Sequence, residues 1–414
     1  SGGSGGGHPV TGAVIGGAAG GAAGALIGGF LDRRPAPSFV PGRVLALIAL
    51  APADSMLATA WDLIQGRGLL VVEVHPLASS ADGLVVFEIR DGGAVADEVA
   101  ALRRDPRVRL AQPDFIHVTL VVQTDAAARL SYGPRLIRAD RLRGTANGSG
   151  ITVAVIDTGL DSAHIEFKGT GIEALDVSSA GFTPDVHGTL VAGIIAADPH
   201  NGFGIGGVAP GARLLAIKAC VPDAPAQALA RCRSSALARG VDAAVLKQAR
   251  VLNLSVGGPR DDLLARLVRS AVAQGRVVVA AAGNDGPRGR PRYPAALEEV
   301  VAVTAVDAAE RLYPEATRGR HVDLAAPGVE IFSTSPGNSF AVASGTSLAA
   351  AHVTAAVTVL LAEAPGTGLL RLRAVLDETA KDLGPSGPDR DFGGGLVDVC
   401  RALERLSGAA RACD

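Results

Sequence analysis

Three short motifs carry the residue types of acyl transfer: Asp157-Thr158-Gly159, His187-Gly188-Thr189 and Gly345-Thr346-Ser347. A serine hydroxyl becomes a nucleophile when a base takes its proton and an acidic group holds that base in the correct tautomer. Asp157, His187 and Ser347 supply one of each. Ser347 precedes an alanine-rich run, which would place its hydroxyl at a helix N-terminus, where free N–H groups and the helix dipole favour an oxyanion. Asn284 follows the apolar run 276–282 and offers the second donor that a tetrahedral oxyanion needs. Taken singly, Asp157 reads as a turn residue, His187 as a helix-start histidine and Ser347 as a cap. Their joint occurrence points to catalysis.

Residues so far apart in the chain meet only if a fold brings their ends together. From Ile151 onward, short continuous apolar runs alternate with helical stretches. The runs Ile151–Ile156, Arg213–Ala219, Val251–Ser255, Arg276–Ala282 and Val300–Val306 read as strands buried on both faces. That pattern predicts an α/β fold with a doubly wound, mostly parallel sheet, whose sites lie at the carboxyl ends of the strands. Asp157 and Asn284 each end such a strand, and His187 and Ser347 each open a helix.

Ahead of this region, a Pro-rich link leads into a separate pattern. Strands are expected at Val44–Leu50, Leu69–Val74, Leu84–Arg90 and Val108–Leu120, with helices at Asp54–Gln65, capped at its start, and Ala94–Arg104. The order βαββαβ is the α+β ferredoxin-like arrangement, which by itself names no function.

The 414 residues suffice for one large or two to three ordinary domains, and 48% hydrophobic against 19% charged residues excludes a disordered chain. A net charge of -2 gives no sign of nucleic-acid binding. The four cysteines fall into two local pairs, Cys220 with Cys232 and Cys400 with Cys413. Each pair can close a short disulfide loop worth about 3 kcal/mol, which favours an oxidising compartment. A metal site competes with this reading, but the spacing is not CxxC and no histidine lies near either pair. No metal ligand set is assigned.

Residues 1–35 are Gly/Ala-rich. Between Pro9 and Leu31 there is no charge, and Gly12, Gly16, Gly20, Gly24 and Gly28 recur at every fourth position. Two readings stand for this stretch: a glycine zipper that self-associates or associates with a membrane, and a low-complexity lead. A signal peptide fits poorly, because no basic region precedes the apolar run.

The motifs together resemble the subtilisin-like serine proteases, the subtilase family, preceded by an inhibitory propeptide. The resemblance runs through Ser131-Tyr132-Gly133-Pro134, Val155 to Gly159, His187 to Gly193, Gly206 to Pro210, Ser255 to Gly258, Gly283-Asn284, Tyr293-Pro294-Ala295, Ala325 to Gly328 and Gly345 to Ser347. The chain order Asp, His, Ser is the subtilisin order. The family implies a secreted or periplasmic serine endopeptidase, made as a self-processing zymogen, that needs no catalytic cofactor. Asp157 would orient the base, His187 would be the base, Ser347 the nucleophile and Asn284 the oxyanion donor. Ser255, Val256 and Gly257 would pair with the substrate backbone, and Ala281, Ala282 and Gly283 would leave a roomy apolar pocket.

The resemblance also divides the chain into the lead, a propeptide over 36–120, a linker over 121–130 and a peptidase domain over 131–414. Autocleavage is expected near Leu120. The partners implied are a protein or peptide substrate and the chain's own propeptide as intramolecular inhibitor. A structural calcium ion is common among relatives, but no residues are assigned to it; Asp261-Asp262 reads better as a charge pair at a helix N-terminus. Arg288, Arg290 and Arg292 read as a solvated loop rather than as a selector of acidic substrates, His117 reads as a surface or packing residue, and His352 falls in the helix after Ser347. Val186, Leu190 and Ala351 depart from the family pattern, which usually has Gly, a second His and Pro there. The alternative function is a catalytically silent peptide-binding or assembly protein on the same scaffold.

Overall fold

The structure, a computed structural model, describes residues 38–120, 122–124, 131–142, 144–222, 229–410 and 413, all within the unit Ser38–Asp414. The Gly/Ala-rich lead, with its zipper reading, lies outside the described residues.

The first lobe follows the expected order. Strand β1 (Phe39–Ala49), helix α1 (Ala53–Leu63), strands β2 (Leu69–Leu77) and β3 (Asp82–Ile89), helix α2 (Val95–Leu102) and strand β4 (Leu110–Thr119) form an antiparallel sheet with two helices on one face. The two-residue period of β1 separates the faces. Val44, Ala46 and Ile48 pack with Met56, Ala60, Leu63, Val99 and Leu102 of the helices, while Leu45 and Leu47 turn to the opposite face. One expectation fails locally: α1 begins after Pro52 with no side-chain cap, and Asp54 sits inside the first turn. The Pro52 carbonyl accepts the first bonds of the helix, from the Ser55 and Met56 N–H groups at 2.9 and 3.0 Å, and Asp54 contributes through the helix dipole.

The remaining elements are β5 (Val122–Thr124), α3 (Gly133–Leu136), β6 (Thr152–Asp157), β7 (Ile172–Asp176), α4 (Val186–Ala196), β8 (Arg213–Lys218), β9 (Cys220–Pro222) and β10 (Ala230–Arg233). They continue with α5 (Ser234–Leu246), β11 (Val251–Leu254), β12 (Val256–Gly257), α6 (Asp262–Ala273), β13 (Val277–Ala281), β14 (Val301–Val306), β15 (Leu324–Pro327) and β16 (Ile331–Ser335). Last come β17 (Ser339–Ser344), α7 (Thr346–Glu363), α8 (Leu369–Thr379) and α9 (Val399–Ser407).

Seven parallel strands form the main sheet in the order β15-β14-β13-β11-β6-β8-β7. All five strands expected here are present. The sheet also contains β7, whose partly exposed edge residues give no apolar run, and the four-residue β15, which ends at Pro327. Alternate side chains feed two cores. Val153, Val155, Val277, Val279 and Val301 face α4 and α7; Ala154, Ile156, Leu252, Leu254 and Val278 face α5 and α6.

Helix α7 is buried from Thr346 to Leu361, as expected of a helix apolar all round. Among the described residues it is the one helix long and apolar enough to cross a membrane, and its burial identifies it as the core helix of the sheet. Ala351 lies inside it, and the helix runs on unbroken to Glu363.

The two lobes are joined as well as adjacent. Leu45, Leu47, Leu84 and Val86 of the first sheet share a core with Leu237, Val241, Leu264 and Leu267 of α5 and α6. β4 completes the first sheet through β1 and, on its other side, pairs with β10 and β12.

Candidate active site

Asp157 ends β6 and is buried at 1% exposure. Its Oδ1 accepts hydrogen bonds from the Thr158 N–H at 2.7 Å, the Thr158 hydroxyl at 3.1 Å and His187 Nδ1 at 2.7 Å. His187 stands in the first turn of α4, where the Asp185 side chain caps its N–H at 3.1 Å. A carboxylate bonded to Nδ1 fixes the proton there and leaves the Nε2 lone pair free to act as a base. His187 Nε2 is buried and has no partner among the described residues. Gly188 lets this turn approach: a Cβ there would strike the Gly159 carbonyl, and the Gly188 N–H donates to Thr158 Oγ1 at 3.1 Å.

Ser347 lies in the first turn of α7, fully buried, and its hydroxyl donates to the Ser255 carbonyl at 3.1 Å rather than to His187. The structure therefore joins the acid to the base, and the hydroxyl of Ser347 is held by the Ser255 carbonyl. Asn284 follows β13. Its Oδ1 accepts from the Thr346 N–H at 3.1 Å and the Thr346 hydroxyl at 2.8 Å, and Thr346 Oγ1 in turn accepts from the Gly283 N–H at 3.2 Å. With the carbonyl end tied down, the amide NH2 is the end available to an oxyanion. Sequence reasoning missed Thr346 as this anchor; its place between Gly345 and the nucleophile was the available signal.

The site contains a peptide strand. The Leu120 carbonyl oxygen accepts from the Ser347 N–H at 3.3 Å. Upstream, Val118 and Thr119 pair antiparallel with Gly257 and Val256, and Ile116, His117 and Val118 pair with Arg233, Cys232 and Arg231. Downstream, Val122, Gln123 and Thr124 pair with Ser344, Ala343 and Val342. Residues 116–119 thus lie in the site as an extended strand with β10 and β12 as its neighbours, and 122–124 pair with β17. Ser255-Val256-Gly257 was legible as one flank of this strand. The other flank, Ala230–Arg233, was not; the Cys220–Cys232 disulfide that staples β9 to β10 was its only trace.

The side chain of Leu120 lies beside Gly257 and Arg292. Ala281, Ala282 and Gly283 are buried, and the stem of Arg292 lies between Gly257 and Gly283: an ideal Cβ on Gly257 would sit 3.0 Å from Leu120 Cδ1 and 3.1 Å from Arg292 Cβ. Arg292 is therefore not part of a solvated loop. It pairs with Asp285, with one of the two bonds at 2.7 Å, while Arg288 and Arg290 are exposed.

First-lobe side chains also cap helices of the second lobe. Asp114 accepts from the Ser235 N–H at 3.2 Å and hydroxyl at 3.1 Å at the start of α5, which has no cap of its own. Gln112 Oε1 accepts from the Leu263 N–H at 2.9 Å at the start of α6. Asp261, the N-cap of α6, accepts from Leu264 N–H at 2.9 Å, Gln112 Nε2 at 2.9 Å, His117 Nε2 at 3.0 Å and the Ser234 hydroxyl. Burial pushes the Asp261 carboxyl up, but bonds from His117, Leu264 and Ser234 outweigh it and hold the group below its ordinary value. His117 is thus not a surface residue, and it is fully buried.

Lys218, also missed, ends β8 beside Asp157; its Nζ donates to the Thr158 carbonyl at 2.8 Å and the Thr183 hydroxyl at 3.1 Å. Burial lowers its pKa, while Asp185, Asp176 and Asp157 favour its charged form. His352 packs inside α7, where burial drops its pKa to about 4, so it is neutral and cannot compete as a base. Both expected disulfides are present, Cys220–Cys232 and Cys400–Cys413. No group of three or more His, Cys, Asp or Glu side chains suited to a metal occurs among the described residues, and the bonds already made to Asp261 leave the Asp261-Asp262 pair unfit for calcium.

The comparisons with known proteins agree with this geometry. A profile of the subtilase family, Peptidase S8, matches residues 148–395. The chain is 35% identical over 316 residues to the thermophilic serine proteinase of Bacillus sp. strain AK1, covering 74% of this chain and 76% of that protein. It is 34% identical to subtilisin E of Bacillus subtilis, covering 76% of this chain and 81% of that protein, and 37% identical to thermitase of Thermoactinomyces vulgaris, covering 66% and 95%. Among solved structures, fervidolysin from Fervidobacterium pennivorans, a keratinolytic enzyme related to subtilisin, superposes with a TM-score of 0.73 at 26% identity, over 90% of this chain and 62% of that one.

Proposed function

The chain belongs to the subtilase family and is a serine endopeptidase that hydrolyses peptide bonds, and from that premise we propose the role of each site residue and the form in which the chain is made. Asp157 orients His187 and stabilises its protonated form. His187 Nε2 takes the Ser347 proton once the hydroxyl turns away from the Ser255 carbonyl. Ser347 Oγ attacks the carbonyl carbon, and the oxyanion is received by the Ser347 N–H and the Asn284 amide. His187 then returns the proton to the leaving amine, and water releases the acyl group by the same route.

Residues 36–120 act as the propeptide and inhibitor, 121–130 as the linker and 131–414 as the peptidase. The observation that carries this reading is the Leu120 carbonyl bonded to the Ser347 N–H, in register with the Thr119 and Val118 pairing to β12. After the bond following Leu120 is cut, β4 stays in the site as a product strand, and the caps at Gln112 and Asp114 retain it. The two disulfides support export to an oxidising compartment.

The test compares the full chain with its Ser347→Ala form. The parent is expected to cleave itself and to label with a fluorophosphonate, and Ser347→Ala to do neither. An intact, unlabelled parent chain refutes the reading.

A further inference from the structure

The strand in the site shows where each substrate side chain goes. With the Leu120 carbonyl on the Ser347 N–H, His117 is the fourth residue before the scissile bond. It pairs with Cys232, and its ring lies over Gly258, where any Cβ would collide with it. Two acceptors meet this ring. Nε2 lies 3.0 Å from Asp261 Oδ2 and Nδ1 lies 3.3 Å from the Tyr293 carbonyl. A neutral imidazole donates from one nitrogen only, so an imidazolium alone makes both bonds as a donor.

The acid belongs to the peptidase, not to the propeptide. Asp261 keeps two partners of its own body, Leu264 N–H and the Ser234 hydroxyl, and both of its other partners, Gln112 and His117, depart with the first lobe. The adjacent Asp262 faces outward and pairs with Arg260 at 3.1 Å. A substrate strand that takes the place of β4 between β10 and β12 brings its own fourth residue to Asp261.

We propose that Asp261 and the Tyr293 carbonyl make the fourth non-prime subsite of the mature enzyme a receptor for a cationic side chain, so that peptides with Arg, Lys or protonated His there are preferred. Gly258 provides the room, the carboxylate provides the charge, and the β12 and β10 pairing fixes the register. The assignment rests on the endopeptidase reading above.

The test uses enzyme matured from the full chain, with active sites counted by fluorophosphonate titration. Four anilides of sequence Xaa-Val-Thr-Leu, with Xaa as Arg, His, Ala or Phe, are compared at pH 6. The expected kcat/KM for Arg and His exceeds that for Ala by about tenfold, the size of one charge-assisted hydrogen bond. Asp261→Asn, which keeps an N-cap acceptor, is expected to collapse the Arg-to-Ala ratio towards one. Ala or Phe equal to or better than Arg, or a ratio that survives Asp261→Asn, overturns the subsite. Should Asp261→Asn not fold, the four-peptide series on the parent decides alone. Hydrolysis of none of the four, with no fluorophosphonate labelling, overturns the endopeptidase reading as well.

Discussion

The Leu120 carbonyl oxygen and the Ser347 backbone N–H stand 3.3 Å apart, joined by a hydrogen bond between the end of the first lobe and the start of the core helix of the second. That contact places one peptide bond of the chain at its own nucleophile. Val118 and Thr119 pair with β12 before it, and β5 pairs with β17 after it.

The first prediction follows directly. Self-cleavage should occur after Leu120, giving Val121 as the new N-terminus. N-terminal sequencing of the matured enzyme checks it, and a first cut upstream of Asp105 or downstream of Ser131 would contradict the threading.

Asn284→Ala should lower kcat by about 10²- to 10³-fold with little change in KM, a magnitude that comes from subtilisin itself. Thr346→Val leaves Asn284 chemically intact but removes the hydroxyl that holds its carbonyl end. A smaller fall, also confined to kcat, is expected. Steady-state kinetics on one peptide separate the two; a rise in KM without loss of kcat would exclude an oxyanion role.

The caps offered by the first lobe should control how fast inhibition ends. Asp114→Ala removes the acceptor for two groups of Ser235. Loss of a cap costs about 1 kcal/mol, so release should quicken by about fivefold. The lag before activity appears in the full chain measures this, and an unchanged lag would show that the cap contributes nothing to retention.

The Cys220–Cys232 disulfide should matter for long substrates in particular, because β9 and β10 form one wall of the strand site. Replacing both cysteines by serine should cost about 3 kcal/mol of stability. It should also lower kcat/KM more for a six-residue peptide than for a peptide that ends two residues before the cut. Equal losses for both lengths would separate the disulfide from substrate binding.

Stability should depend on pH through Asp323. Burial, aided by Asp377, raises its carboxyl to about 6 against the opposing effects of Arg373 and the Ala302 N–H. An acid with a raised folded pKa binds its proton more tightly when folded. Its contribution is therefore most favourable below the ordinary value of 3.8 and is lost as pH rises through about 6. Asp323→Asn, made in the Ser347→Ala background to prevent autolysis, should raise Tm above pH 6 and leave it unchanged below pH 4. Part of the side chain reaches solvent, so the gain should be at most about 2 kcal/mol. A gain at pH 3 equal to that at pH 8 would exclude titration as the cause.

Asp157, His187, Ser347 and Asn284 were legible in the sequence because each stands next to glycine or threonine at the border of an apolar run, and such borders fall at one edge of a parallel sheet. Five strands of that sheet, the βαββαβ order of the first lobe and the two cysteine pairs were legible for the same local reason, since period, composition and short spacing are properties of neighbours in the chain. The contacts that only the tertiary structure decided join residues with no local relation. Thr346 clamps Asn284 across 62 positions, Asp114 caps a helix 121 positions away, and His117 reaches Asp261 across 144. Arg292 reads as a loop charge until folding turns its stem in beside Gly257. The kind of chemistry lay in the residue types and their order; which side chains accompany it was set by packing, because a buried donor or acceptor bonds to whatever the fold places beside it.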